Sequence, residues 1–219
     1  MSYHFDAVLF DLDGTLIDSE PLAMRGLGMF LDRYGHTMPA DFGQRVIGRR
    51  AYDNATLMIE HFALSHTVEE LIEEKRALLH TLIENEVEAM PGAEAILREL
   101  RRRGVRTAVA TSSSRPYLGM ILAKFGWEEL FDASVTGEEV AHGKPAPDIF
   151  LRAAELLDVP PARCLVVEDA PHGVAAGMAS GATTLAIPNS VTAPLQFPDG
   201  ARRIATLDAI LELLDGARP

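Results

Sequence analysis

From Pro91 onward, short apolar runs alternate with stretches of helical periodicity, and few architectures accept that order. Runs at 105–110, 133–136, 164–167 and 183–187 read as strands; stretches at 93–103, 116–125, 148–157, 173–180 and 207–214 read as helices. Strands separated by helices form parallel pairs joined by crossovers, so the pattern predicts a parallel sheet with helices on both faces. One further strand, Ala7-Val8-Leu9-Phe10, stands near the N-terminus. Only helical periodicity separates it from the others: 20–34 with Leu22, Leu27, Phe30 and Leu31, 51–62 with Tyr52, Ala55, Leu57, Met58, Ile59 and Phe62, and 67–84 with Leu71, Ile72, Leu78, Leu79 and Leu82. Thr67 followed by Glu70 is a capping-box pattern at the start of the last of these. The first strand belongs in one sheet with the later ones, so the helical stretch is an insertion. The expected domains are an α/β core from 1–16 and 87–219 and an inserted helical unit, 17–86. Ligands of such sheets bind beyond the carboxyl ends of the strands. An insertion placed there is expected to lie over the site as a cap, with Gly14 and Pro91-Gly92 as hinge regions.

Charge and composition exclude several classes of function. The net charge of the 219 residues is −12, which repels phosphodiester backbones and argues against a nucleic-acid partner. No apolar run approaches the roughly 20 residues that span a bilayer, so no membrane association is expected. The run 7–10 is too short for a signal peptide's apolar segment and Asp11 closes it, which predicts a cytoplasmic protein. Cys164 is the only cysteine and lies in an apolar run, so it reads as a buried structural thiol with no disulfide partner.

The polar residues that follow the strand runs define the chemistry. Asp11 and Asp13 follow the first, Thr111 and Ser112 the second, and Glu168 and Asp169 the fourth, while Lys144 lies in the turn after the third. All fall at one edge of the sheet. Asp11, Asp13 and Asp169 offer hard oxygen ligands that suit Mg²⁺, and the thiolate or multi-histidine sets of zinc sites are absent from the pattern. A carboxylate attacking a phosphate meets the repulsion between two anions; a cation and a lysine aimed at the phosphoryl oxygens remove it. Hydroxyl and backbone donors around Thr111 suit the remaining phosphoryl oxygens. Asp13, two residues beyond Asp11, can protonate a leaving oxygen and then deprotonate water.

These residues resemble the haloacid dehalogenase superfamily of phosphohydrolases. The first motif stands as Asp11-Leu12-Asp13-Gly14-Thr15, the second as Ala110-Thr111-Ser112, the third as His142-Gly143-Lys144-Pro145-Ala146-Pro147-Asp148, and the fourth as Glu168-Asp169. Order and spacing match over essentially the whole chain. The resemblance implies a Rossmann-like core with a cap, and a phosphatase reaction through an aspartyl-phosphate. It implies Asp11 as nucleophile, Asp13 as general acid and base, Thr111, Ser112 and Lys144 as phosphate ligands, and Mg²⁺ held by Asp11, the Asp13 carbonyl, Asp169 and Glu168. An aspartate at position 13 favours phosphate chemistry over dehalogenation. Within the superfamily the chain is similar to the group containing beta-phosphoglucomutase and pseudouridine 5′-phosphatase, through Val46-Ile47-Gly48-Arg49-Arg50, Met90-Pro91-Gly92-Ala93-Glu94 and Glu168-Asp169-Ala170-Pro171-His172-Gly173.

That group implies a small sugar or nucleoside-type monophosphate as substrate, with Glu20, Arg49 and Arg50 as cap-side contacts; a monomer is expected. A phosphomutase of the beta-phosphoglucomutase type, and a non-catalytic metabolite-binding protein on the same scaffold, are the alternatives. Plainer readings stand beside these: Asp11 and Asp13 as turn residues, Lys144 as a solvated loop lysine, Arg49 and Arg50 as solvated cap residues, and Glu168-Asp169 as a helix cap. Ser113 and Ser114 read as caps of the next helix, His61, His66, His80 and His172 as surface residues, and Trp127 as a packing residue.

Overall fold

The structure is a computed structural model that describes residues 5–39, 42–46 and 51–215. The chain divides into two compact units, Met1–Asp18 with Glu88–Pro219, and Ser19–Val87.

The first unit is built on a six-stranded parallel sheet in the order β3-β2-β1-β4-β5-β6. Its strands are β1 (Ala7–Phe10), β2 (Arg106–Thr111), β3 (Ala133–Thr136), β4 (Cys164–Glu168), β5 (Thr183–Ala186) and β6 (Arg202–Arg203). Every residue of β1 and β4 is buried, which is why both read as unbroken apolar runs instead of alternating ones. This unit also takes in the entry to the insertion: Ile17 bridges to Asp13 and Ala89, and the Asp18 N–H donates to the Glu88 carbonyl.

The second unit holds α1 (Glu20–Arg33), α2 (Phe42–Val46), α3 (Ala51–Phe62) and α4 (Val68–Glu86). Their apolar faces meet in a core of their own, with Leu27, Phe30, Leu31, Phe42, Ala55, Met58, Phe62 and Leu71 buried together. The capping box is formed: the Glu70 N–H donates to Thr67 Oγ1 at 3.2 Å and the Thr67 N–H donates to Glu70 Oε2 at 2.9 Å. His66 is not the surface residue its sequence position suggests. Its ring packs edge-on to Tyr34 at 4.7 Å and beside Phe30 at 5.9 Å, and its side chain is 13% exposed.

Helices α5 (Ala93–Arg102), α6 (Arg115–Phe125), α7 (Asp148–Leu156), α8 (Pro171–Ala179) and α9 (Ala209–Asp215) belong with the sheet. On one face Ile149, Phe150, Ala153 and Ala154 of α7 pack on Ala7, Leu9, Ala108, Ala110, Val135 and Val166. Trp127 is fully buried and stacks on Phe125, and Cys164 is a buried free thiol whose pKa burial pushes up to about 11, so it is unreactive. Among the described residues no helix is long and apolar enough to cross a membrane.

Candidate active site

The strand register assembles the site before any side chain is considered. Phe10 of β1 pairs with Val109 on one side and Val167 on the other. The next residues, Asp11, Ala110 and Glu168, therefore stand side by side at the carboxyl edge of the sheet. The Asp11 N–H extends the ladder by donating to the Val167 carbonyl at 3.0 Å. Strand order reverses at β1, the position where open α/β sheets bind ligands.

Beyond β1 the chain turns sharply through Gly14, whose φ is +78°, in the left-handed region that favours glycine. Space excludes a side chain there too, because a Cβ would lie 2.4 Å from Asp169 Oδ2. The amide of Asn189 joins the two segments: its Nδ2 donates to Asp169 Oδ2 at 2.8 Å and to the Gly14 carbonyl at 3.2 Å. Gly173 serves the same end at the start of α8. A Cβ on it would lie 1.6 Å from Glu168 Oε1, so only glycine lets Glu168 tuck in and accept from the Ala170 N–H at 3.0 Å.

Lys144 reaches this edge from the turn after β3. Its ammonium donates to Asp11 Oδ1 at 2.5 Å, to Glu168 Oε1 at 2.8 Å and to the Ala110 carbonyl at 3.1 Å. It also lies 5.0 Å from the centre of the Phe150 ring. Burial alone would lower the pKa of Lys144, but the carboxylates of Asp11 and Glu168 outweigh it and raise the value, which keeps the lysine charged. Asp11 is pushed well above the usual carboxylate range: burial dominates, Lys144 opposes it, and Glu168 and Asp13 add to it.

Asp11, Glu168 and Asp169 are all buried, and each offers a carboxylate oxygen within 4.8 Å of the others. Set against the single Lys144 ammonium, these carboxylates leave an excess of buried negative charge when ionised. A hard divalent cation matches both that excess and the all-oxygen donor set. The residues present therefore fit Mg²⁺.

Asp13 stands beside this cluster, half-buried, and faces the loop after β2. Tyr117 Oη donates to its Oδ1 at 2.6 Å, Ser113 Oγ to its Oδ2 at 2.8 Å, and Thr111 Oγ1 to its Oδ2 at 3.5 Å. Thr111 is buried and also accepts from the Ser113 N–H at 3.0 Å; Ser112 is exposed in the loop between them.

Of the residues singled out from the sequence, Asp11, Lys144, Glu168 and Asp169 meet in one buried cluster, and Asp13 and Thr111 meet beside it. Glu20 opens α1 in the helical unit. Arg49 and Arg50 lie outside the described residues. The serines differ from expectation. Ser114 takes the N-cap position of α6 without a side-chain cap bond, and the Ser113 hydroxyl goes to Asp13 instead of to the helix. Asn189 and Tyr117 were not singled out. Asn189 follows the apolar end of β5 and so obeys the same strand-end rule that found the others. Tyr117 carries no local signal, because its part is set by where α6 packs.

The family model of haloacid dehalogenase-like hydrolases matches residues 5–181. The bifunctional riboflavin kinase/FMN phosphatase of Arabidopsis thaliana is 37% identical over 83% of this chain, and the chain spans 48% of that protein's length. The "Probable pseudouridine-5′-phosphatase" of Drosophila melanogaster is 38% identical over 83% of this chain and 80% of its own. Among solved structures, CbbY from Rhodobacter sphaeroides in complex with phosphate superposes with a TM-score of 0.83 at 28% identity, covering 96% of this chain and 99% of that one.

Proposed function

The chain belongs to the haloacid dehalogenase-like hydrolases and is an enzyme of phosphatase type, and on that footing we propose that it hydrolyses a small sugar or nucleoside-type monophosphate through an aspartyl-phosphate on Asp11, with Mg²⁺ as cofactor. The observation that carries the reading is the contact of the Lys144 ammonium with Asp11 and Glu168 in a buried, acid-rich cluster.

In this reading Asp11 attacks the phosphorus in line with the ester oxygen. Asp13 gives its proton to that oxygen as the P–O bond breaks, and the free alcohol leaves. Asp13, now a carboxylate, takes a proton from water as the water oxygen attacks the aspartyl-phosphate. Inorganic phosphate departs and the Asp11 carboxylate is restored. Lys144, the Thr111 hydroxyl and the Ser112 N–H face the phosphoryl oxygens and stabilise the charge they carry in the transition state. Asp11, Asp169, the Asp13 carbonyl and Glu168 would hold Mg²⁺, which would supply the charge neutralisation that lets two anions approach. The helical unit, Ser19–Val87, with Glu20, Arg49 and Arg50, is the part to which we assign choice of the leaving group.

The test is phosphate release from a panel of sugar, nucleotide and pseudouridine monophosphates, ranked by kcat/KM, with Mg²⁺ and after exhaustive chelation. Release from at least one sugar or nucleoside-type member, lost on chelation and inhibited by Ca²⁺, is expected, since Ca²⁺ prefers more ligands and looser geometry. Full activity after chelation removes the metal from the mechanism. Incubation with beta-glucose 1-phosphate and a trace of glucose 1,6-bisphosphate distinguishes a mutase: glucose 6-phosphate formed faster than free phosphate overturns the assignment.

A further inference from the structure

A carboxylate that first gives and then takes a proton has to be held in place, because its side chain turns about two bonds and Asp13 is not enclosed on all sides. Two hydroxyls hold it at short range, one on each oxygen, Tyr117 on Oδ1 at 2.6 Å and Ser113 on Oδ2 at 2.8 Å, while the Thr111 hydroxyl stands farther from Oδ2 at 3.5 Å. A single bond would leave the carboxylate free to swing about the bonded oxygen; one bond to each oxygen fixes its plane. We propose that Tyr117, together with Ser113, is a positioning residue that sets the Asp13 carboxylate for proton transfer, an inference that rests on the reading of Asp13 as the acid and base of the reaction.

The clamp does not occupy the carboxylate fully. A carboxylate offers about four acceptor sites, so the two short bonds and the longer one from Thr111 leave a site for the proton that passes to the ester oxygen and is then taken from water. Tyr117 sits in the first turn of α6 and is buried, and its hydroxyl reaches Asp13 from the helix. Ser113 lies in the same segment as Thr111 and Ser112. One stretch of chain from the end of β2 into α6 thus supports both the donors assigned to the phosphoryl oxygens and the group assigned to the leaving oxygen. Phenylalanine at 117 would fill the same space and lack the donor.

The experiment exploits the leaving group. An alkoxide has to be protonated as it departs and p-nitrophenolate does not, so misplacing Asp13 slows release of the first and spares the second. Tyr117→Phe is assayed on the sugar phosphate with the highest kcat/KM in the panel, and on p-nitrophenyl phosphate by the burst of nitrophenolate that reports formation of the phosphoryl-enzyme. The expected result is a kcat on the sugar phosphate lowered about tenfold with KM and the nitrophenolate burst rate within about twofold of wild type. Unchanged kcat on the sugar phosphate, or equal losses on both substrates, overturns the proposal. If Tyr117→Phe melts early, Ser113→Ala decides by the same ratio. Asp13→Asn separates this inference from the one beneath it. If that variant retains sugar-phosphate turnover, Asp13 is not the acid and the underlying reading fails. If it loses turnover while Tyr117→Phe is silent, the positioning role alone fails.

Discussion

The charge balance around Asp11 rests on one cation among the described residues of the cluster, Lys144, with its side chain 8% exposed. Its worth in the proposed reaction lies in the transition state, where charge moves onto the phosphoryl oxygens in a site with little water. Lys144→Ala is therefore expected to lower kcat by about 10²- to 10³-fold while changing KM far less. An unchanged kcat would make it the plain loop lysine that its sequence position also allows. A second lysine behaves differently. Lys75 lies on the inner stripe of α4 with Leu71, Leu78 and Leu82, and its ammonium donates to Met58 Sδ at 3.4 Å. Burial pushes it down to about 8 from 10.5. Between those values the unfolded chain binds more protons than the folded one, so stability rises with pH through that window, and below it the fold carries the full cost of the buried charge. Lys75→Met should raise unfolding free energy at pH 7 by about 1–3 kcal/mol and flatten the rise between pH 8 and 10.5. Urea titrations at pH 7 and pH 10 read both effects; identical curves for the two proteins would show that the ammonium reaches water.

Elements place the site through two close approaches of backbone to carboxylate. At α8 the approach is closest, and Gly173→Ala forces Glu168 away from the helix start and from Lys144. The expected cost is about 1–3 kcal/mol of stability from overpacking, with weaker Mg²⁺ binding measured by calorimetry. An alanine variant with wild-type melting and wild-type metal affinity would mean that Glu168 has another place to go. The elements themselves were largely legible in the sequence. Strands β1 and β4 read as unbroken apolar runs because both their faces are covered, and the start of α4 was marked by Thr67 and Glu70. Two elements carried no such mark. Strand β6 is a pair of exposed arginines at the sheet edge, and α2 is a five-residue helix too short to show a period. The site divides along the same line. Asp11, Lys144, Glu168 and Asp169 were legible because each follows or serves a strand end. Tyr117 and the Ser113 hydroxyl were not, because their contacts with Asp13 come from the packing of α6 and from a loop bond that competes with capping.

At the scale of the whole molecule, two units each carry a buried apolar core, and the catalytic residues proposed here all come from the unit that holds the sheet. With a net charge of −12 over the whole chain, and three buried carboxylates set against one ammonium at the site, binding of an anionic metabolite is expected to depend on added divalent cation. The central claim is covalent: during turnover a phosphoryl group sits on Asp11. The most direct measurement is acid quench of the enzyme during steady turnover, followed by peptide mass spectrometry. The peptide holding Asp11 should carry the added mass of one phosphoryl group, and Asp11→Asn, with an unchanged fold by circular dichroism, should show neither the label nor turnover. Phosphate release by Asp11→Asn at near the wild-type rate, or a phosphoryl group found on another residue, would contradict it.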